Sequence, residues 1–386
     1  MVAGPMCGKM FADMGAEVIK LEPPGAGDAM RAHPPFPGDI PHPEKSGSFL
    51  YLNTSKKSLT LDPATPTGAE VFRKLAARAD VLIEDHAPGY LDSIGLGYAA
   101  LHALNPRLIV TSITPFGQTG PYRDWKGTDL IEFAMSLTGY NTPTMVDDAE
   151  HENPLRAPGH QAEMMGATAA AAASMFAIFH RDSTGEGQWI DAPCWQAITN
   201  NSKIEMAAWT YLGIPFSRLR GSIASGLEPL PCKDGYVYVL WAADSHYVAL
   251  KTVLRNPPEL ESEVFDKLLG RQQNDDVLRP MIRQELMKHD MDYLVREGQR
   301  LGLTIGPVFT VAQAAHHPHL RARNAFVEID HPIAGRFEYP RSLVKMTATP
   351  PVSTRAPLLG EHNAEILGRL GYSLAEQQGM RAAGVI

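Results

Sequence analysis

Cysteine is scarce: 386 residues contain three, Cys7, Cys194 and Cys232, widely spaced and in no ligand pattern. That excludes a disulfide framework and a paired-cysteine zinc site, and fits reduced packing thiols in a cytoplasmic protein. No uninterrupted apolar run reaches roughly 18 residues, which argues against a membrane span, and no basic-then-apolar leader opens the chain. No Gly-x-Gly-x-x-Gly follows a predicted strand, so nothing supports NAD or another dinucleotide. A basic excess is missing too. The net charge of −8 argues against nucleic acid or an anionic membrane as partner, while local patches can still hold one polyanionic small molecule. His316, His317 and His319 resemble a metal cluster, but Pro318 breaks their spacing and no carboxylate is nearby, so no metal is expected there.

What the chain does have is length for two domains and a repeated alternation of strand and helix patterns. Met6, Met10, Phe11 and Met14 carry a helical period, and Glu17 to Leu21 reads as a short strand. A doubly wound unit places a strand before its first helix, so that first strand is expected to be missing, leaving a neighbouring strand as an exposed edge. Ser58 to Leu61, Val81 to Glu84 and Leu108 to Ile113 read as further strands, with a helix from Pro66 to Arg78 capped by Thr65. Strand–helix–strand order predicts an α/β fold with a parallel sheet. Leu130 to Leu137 is expected as a helix, Trp189 to Ala192 as a strand and Gln196 to Leu212 as one long helix. Gly221 to Gly226 reads as a flexible loop. Tyr236 to Trp241 is a predicted strand, Ser262 to Gln299 two helices, Val311 to Ala315 a helix, Ala325 to Ile329 with Arg336 to Tyr339 a hairpin, and Gly360-Glu361-His362 the start of a terminal helix. There are no internal repeats.

The stretch from Leu155 to Gln188 is the most informative. Its Ala-rich run predicts a helix over Gln161 to Arg181 that neighbours can approach closely, stopped by Pro158-Gly159 before it and by the Thr184–Gly187 turn after it. Glu163 is then the acidic residue of the first turn, beside free backbone N–H groups and the positive end of the dipole. By pattern alone such a residue is a dipole partner; it also suits a nucleophile.

Several motifs in order decide between those readings. Gly4-Pro5, the run Phe11 to Pro24, Gly27-Asp28, Asn53 to Asp62, Pro88-Gly89 before Leu91, Asn105-Pro106-Arg107, Gly117 to Pro121, Thr184 to Gln188, Pro318 to Arg321 and Ala356 to His362 follow one another along the chain. In this order they resemble the class III (CaiB/BaiF) CoA-transferases, a superfamily that also holds formyl-CoA and carnitine CoA-transferases and α-methylacyl-CoA racemases. In that family an Asp ahead of the Thr-Gly-x-Gly-Gln turn attacks the acyl-CoA thioester. Ungapped counting puts Glu163 at that position, and Gly166 and Ala167 depart from the family's Gly spacing.

The resemblance implies a Rossmann-like large domain with an open parallel sheet, a smaller α+β domain and an interlocked homodimer. Its boundaries are 1–212 for the CoA-binding domain, 226–315 for the small domain, and 316–386 for a segment returning to the large domain. It implies coenzyme A or acyl-CoA as substrate, with a free carboxylic acid as the second partner. Glu163 is the implied catalytic nucleophile, and Asp129 an acidic partner or a helix cap. Along CoA the resemblance implies Val2 and Ala3 at the thioester end and Leu61 and Asp62 near the adenine. Asp85, His86 and Ala87 form a backbone stretch beside the cofactor, joined by Ser93, Trp125, Lys126 and Thr128. Lys56, Lys57, Arg31 and Arg123 are further candidates for phosphate charge. Pro23, Ala64 and Ser93 stand where some members are basic. Thr128 replaces the racemases' His, which favours transfer of CoA over two-base proton exchange. A racemase or isomerase, and a CoA-binding homologue impaired in catalysis, remain as alternatives.

Overall fold

The structure is a computed structural model that describes residues 2–143, 146, 148, 150–201, 203–213, 218 and 228–386, with the backbone alone at 203 and 204. The chain forms two compact units, one of residues 1–136, 157–201 and 321–386, the other of residues 137–156 and 202–320. The predicted Gly221–Gly226 loop lies outside the described residues.

The chain opens on helix α1 (Ala3–Asp13), with no strand before it among the described residues, and continues into β1 (Ile19–Glu22). After α2 (Gly47–Leu52) comes β2 (Lys57–Thr60), and then α3 (Pro66–Ala76), which Thr65 caps by accepting from the Gly68 N–H at 3.1 Å. Next come β3 (Val81–Glu84), the short α4 (Tyr90–Ser93) and α5 (Tyr98–Leu104), and β4 (Ile109–Thr114). β1 pairs with β2 in parallel and β3 with β4 in parallel, so the strand–helix–strand alternation does yield parallel βαβ units. Hydrogen bonding makes two parallel sheets, of two and three strands, where the sequence reading anticipates a single open one.

Helix α6 (Asp129–Met135) stops short of the predicted Leu137, because Ser136 turns extended and the following α7 (Leu137–Tyr140) belongs to the second unit. The Ala-rich helix α8 runs from Gln161 to Thr184, 24 residues, and ends at Gly185, whose φ of 85° suits glycine. By length and composition it could span a membrane, but Ala162, Ala167, Ala170, Ala171, Ser174 and Ala177 are buried on a helix that packs against α1, β4, α6 and the helix that follows β5. β5 (Trp189–Pro193) adds in parallel to β4. The predicted long helix after it is two, α9 (Cys194–Asn200) and α10 (Lys203–Leu212), on either side of the boundary between units.

The second unit carries β6 (Pro229–Cys232) and β7 (Gly235–Val239), then α11 (Asp244–Val253), α12 (Leu268–Gln273), α13 (Asp275–Leu286) and α14 (Met291–Arg300). β8 (Ile305–Pro307) completes an antiparallel three-stranded sheet around Trp241, Tyr247, Leu250, Leu278, Ile282 and Leu294. Where two helices are predicted over 262–299 there are three, separated at Asn274 and by the Asp290 cap of α14. α15 (Val311–Ala315) begins with a reciprocal capping box between Thr310 and Gln313, and α16 (Pro318–Ala322) leads back to the first unit. The hairpin β9 (Phe326–His331) and β10 (Gly335–Pro340) pairs antiparallel, and α17 (Asn363–Arg369) and α18 (Leu374–Ala382) end the chain.

Candidate active site

In a parallel sheet, ligands meet the carboxyl ends of the strands, where loops and helix N-termini converge. Asp85, His86 and Ala87 follow β3 directly, the loop 115–128 follows β4, and Cys194 follows β5, so all three segments emerge at the same edge. The N-terminus of α1 reaches this edge too: a Cβ on Gly4 would sit 2.8 Å from the Asp85 carboxyl.

The N-terminus of α8 is built by three side chains. Asp129 does not cap its own helix. Its Oδ1 accepts from the backbone N–H of Ala162 at 2.8 Å and of Glu163 at 3.4 Å, so it closes the first turn of α8 from α6. Glu163 lies in that turn, half-buried, with Oε2 2.7 Å from Nδ1 of His160, a hydrogen bond that places the imidazole proton on Nδ1. Sequence reasoning missed His160, although its place three residues before Glu163 at a helix start is the spacing of a capping pair. Ligand atoms of Asp129, His160 and Glu163 lie within 4.8 Å of one another, near enough to share one cation.

A second missed residue is Glu132, one turn after Asp129 on α6. It is 2% exposed, and its Oε2 has no hydrogen-bond partner among the described residues. Burial first, then the negative charges of Glu163 and Asp129, push its carboxyl from the ordinary 4.5 up to about 8. The signal was present as an acid between Ile131 and Phe133 on a helix that must bury one face. The same acids, with Asp85, add to burial in pushing the Cys194 thiol upward. Gly166 permits this assembly, since a Cβ there would lie 3.0 Å from the Cys194 Cα and collide with its sulfur.

The remaining predicted positions divide. Trp125, Lys126 and Thr128 are exposed on the loop that enters α6, and the Trp125 ring stacks on Tyr122 at 3.9 Å. Asp85, His86, Ala87 and Ser93 are exposed, His86 beside the Tyr90 ring at 4.4 Å. Asp62 is half-buried, its Oδ1 accepting from the Ala64 N–H. Val2, Ala3 and Leu61 are buried in the core. Two candidate phosphate cations are corrected. Lys56 is enclosed, with Nζ donating to Pro5 O, Leu52 O and Asn53 Oδ1, and Arg31 is 1% exposed between Glu22 and Glu44. Lys57 pairs with Glu17 and Glu365, and Arg123 with Asp124. Lys126 forms no ion pair among the described residues.

The family model described as CoA-transferase family III matches residues 1–363. The chain belongs to this family. Among family III relatives, the succinyl-CoA–D-citramalate CoA-transferase of Chloroflexus aurantiacus is 31% identical, covering 95% of this chain and 90% of that protein. The succinyl-CoA:mesaconate CoA-transferase of Haloarcula marismortui is 32% identical, covering 96% and 93%. A CAIB/BAIF family protein from Brucella suis superposes with a TM-score of 0.82 at 28% identity, covering 96% of both chains. Family membership and these likenesses establish a mixed α/β CoA-transferase scaffold with parallel sheets.

Proposed function

We propose that this chain moves CoA from an acyl-CoA thioester to a free carboxylic acid, with Glu163 as nucleophile. The observation that carries the reading is the half-buried Glu163 carboxyl at the N-terminus of α8, at the carboxyl edge of the parallel sheet and oriented by His160. Attack of Glu163 on the donor carbonyl forms a glutamyl–acyl anhydride and expels CoA thiolate. The thiolate returns to the glutamyl carbonyl, releasing the donor acid and leaving a glutamyl-CoA thioester. The acceptor carboxylate then attacks that thioester, giving a second anhydride, and thiolate attack on the new acyl carbonyl releases the new acyl-CoA and restores Glu163.

The relatives' names pair CoA with dicarboxylic acids, including succinate, glutarate, mesaconate and oxalate, which supports a dicarboxylic acceptor here. Coenzyme A is assigned to the sheet edge bearing Asp85, His86, Ala87, Ser93, Trp125, Lys126 and Thr128, with Lys126 supplying phosphate charge. Val2 and Ala3 are assigned to the thioester end, and Leu61 and Asp62 to the adenine. The site acts without a metal, in the cytoplasm. A Rossmann-like domain over 1–212 completed by 316–386, with a small domain at 226–315, is the proposed division.

An interlocked homodimer is proposed as well. Phe176 and Phe179 on α8 are 75% and 76% exposed, and Tyr211 and Leu212 on α10 are 85% and 69% exposed, which supports cover by a second chain.

The test is Glu163→Gln, assayed for CoA exchange from succinyl-CoA to a panel of dicarboxylic acids. Loss of turnover together with loss of a hydroxylamine-trappable enzyme-bound acyl group is expected; unchanged turnover overturns the assignment. A racemase or isomerase gains one observation, because His160 sets beside Glu163 the imidazole that Thr128 does not supply. Deuterium entering the α-carbon of a bound acyl-CoA without an acceptor acid would select it.

A further inference from the structure

We propose that Glu132 works as a neutral carboxylic acid beside Glu163, a positioning residue whose proton sets the charge of the site. The functional half of this inference rests on the reading of Glu163 as nucleophile; the protonation half does not.

The geometry is a cluster at the junction of α6, α8 and α9. Glu132 is buried, and its Oε2 meets no donor among the described residues. An ionised carboxyl in such a place is costly unless paired, whereas the neutral acid leaves one weaker polar group to accommodate. Among the described residues, the elements packed around it offer the wrong partner for an anion. Its own helix presents Asp129, α8 presents Glu163, and the one ionisable side chain of α9 is Cys194. The nearby imidazole of His160 has its Nδ1 committed to Glu163. The upward shift of the Glu132 carboxyl to about 8 follows from the same arrangement.

The neutral acid lets two carboxylates, Asp129 and Glu163, operate at one helix terminus and admit a third from the acceptor substrate. When Glu132 releases its proton to solvent, a further negative charge appears behind Glu163. The incoming carboxylate is then repelled. Transfer therefore weakens as pH rises through about 8, chiefly through a higher KM for the acid.

The experiment is an infrared difference titration from neutral pH to well above 8, on the wild type, Glu132→Gln and Glu163→Gln, paired with pH–rate profiles. A protonated-carboxyl C=O band should disappear with a midpoint near 8 in the wild type and be absent from Glu132→Gln. In Glu163→Gln its midpoint should move down, since one repelling charge is gone. A band that survives in Glu132→Gln, or a wild type with no such band at neutral pH, overturns the proposal. In kinetics, the acceptor KM of the wild type should rise about tenfold per pH unit above the midpoint, as for a single ionisation, while Glu132→Gln shows no such limb. An alkaline limb retained in Glu132→Gln overturns the positioning role. Full turnover in Glu163→Gln would sink the nucleophile assignment alone, leaving the infrared titration to decide Glu132. If Glu132→Gln fails to fold, the wild-type and Glu163→Gln titrations still decide the protonation state.

Discussion

Asp129 on α6 closes a helix to which it does not belong: its Oδ1 lies 2.8 Å from the backbone nitrogen of Ala162, one residue before the candidate nucleophile. The same carboxylate thus stabilises α8 and sets the direction of its first turn. Asp129→Asn retains an acceptor oxygen, whereas Asp129→Ala leaves the N–H groups open. The alanine variant should lose about 0.5–2 kcal/mol of stability, the asparagine variant much less, as measured by urea denaturation. Activity should fall further in Asp129→Ala than stability requires, because the turn that carries Glu163 loses its anchor.

His160 tests whether Glu163 must be held. Removing one hydrogen bond to a charged group costs about 1.5–3 kcal/mol, so His160→Ala should lower kcat by about 10- to 150-fold if the bond matters in the transition state. Stability should change little, since the imidazole is half exposed. A kcat equal to that of the wild type would mean that Glu163 finds its orientation without the ring.

Arg31 predicts a stability effect with no binding component. Its guanidinium donates to both oxygens of Glu22 and to Glu44, and Ser58 also donates to Glu22. Arg31→Met would strand a buried carboxylate and should cost about 3–5 kcal/mol. Affinity for CoA in the fraction that remains folded should be unchanged.

The pair of Arg355 and Glu361 predicts an acid limb. The Arg355 guanidinium holds the Glu361 carboxyl down from 4.5 to about 2. Because the folded-state value is depressed, its contribution is fully present above 4.5 and is lost as pH falls toward 2. Glu361→Gln should flatten the wild-type decline of melting temperature over that window. An equal slope in the two proteins would contradict this.

Close packing at Gly166 gives a final test. Gly166→Ala should destabilise by about 1–3 kcal/mol through overpacking against Cys194, despite alanine's better helix propensity.

Much of the architecture was legible in the chain because it is set locally. β3 falls on its predicted residues Val81–Glu84, α15 on Val311–Ala315, and α8 begins at the predicted Gln161. The failures have tertiary causes. The helix expected over 196–212 breaks where the chain changes units, a boundary that apolar spacing does not mark. Arg31 and Lys56 are cations on the page, and only the fold reveals that carboxylates and carbonyl oxygens already enclose them. Glu132 has a similar cause: Asp129 stands one turn before it on the same helix, but its burial and the charge of Glu163 come only from the fold.

All three cysteines are buried, Cys7 and Cys194 in one compact unit and Cys232 in the other. Burial pushes the Cys7 thiol up to about 12, so little thiolate is available to a reagent while the chain is closed. Each sulfur therefore acts as a native clock: the rate at which a maleimide tags it reports how often its own half of the molecule opens, with no label engineered in.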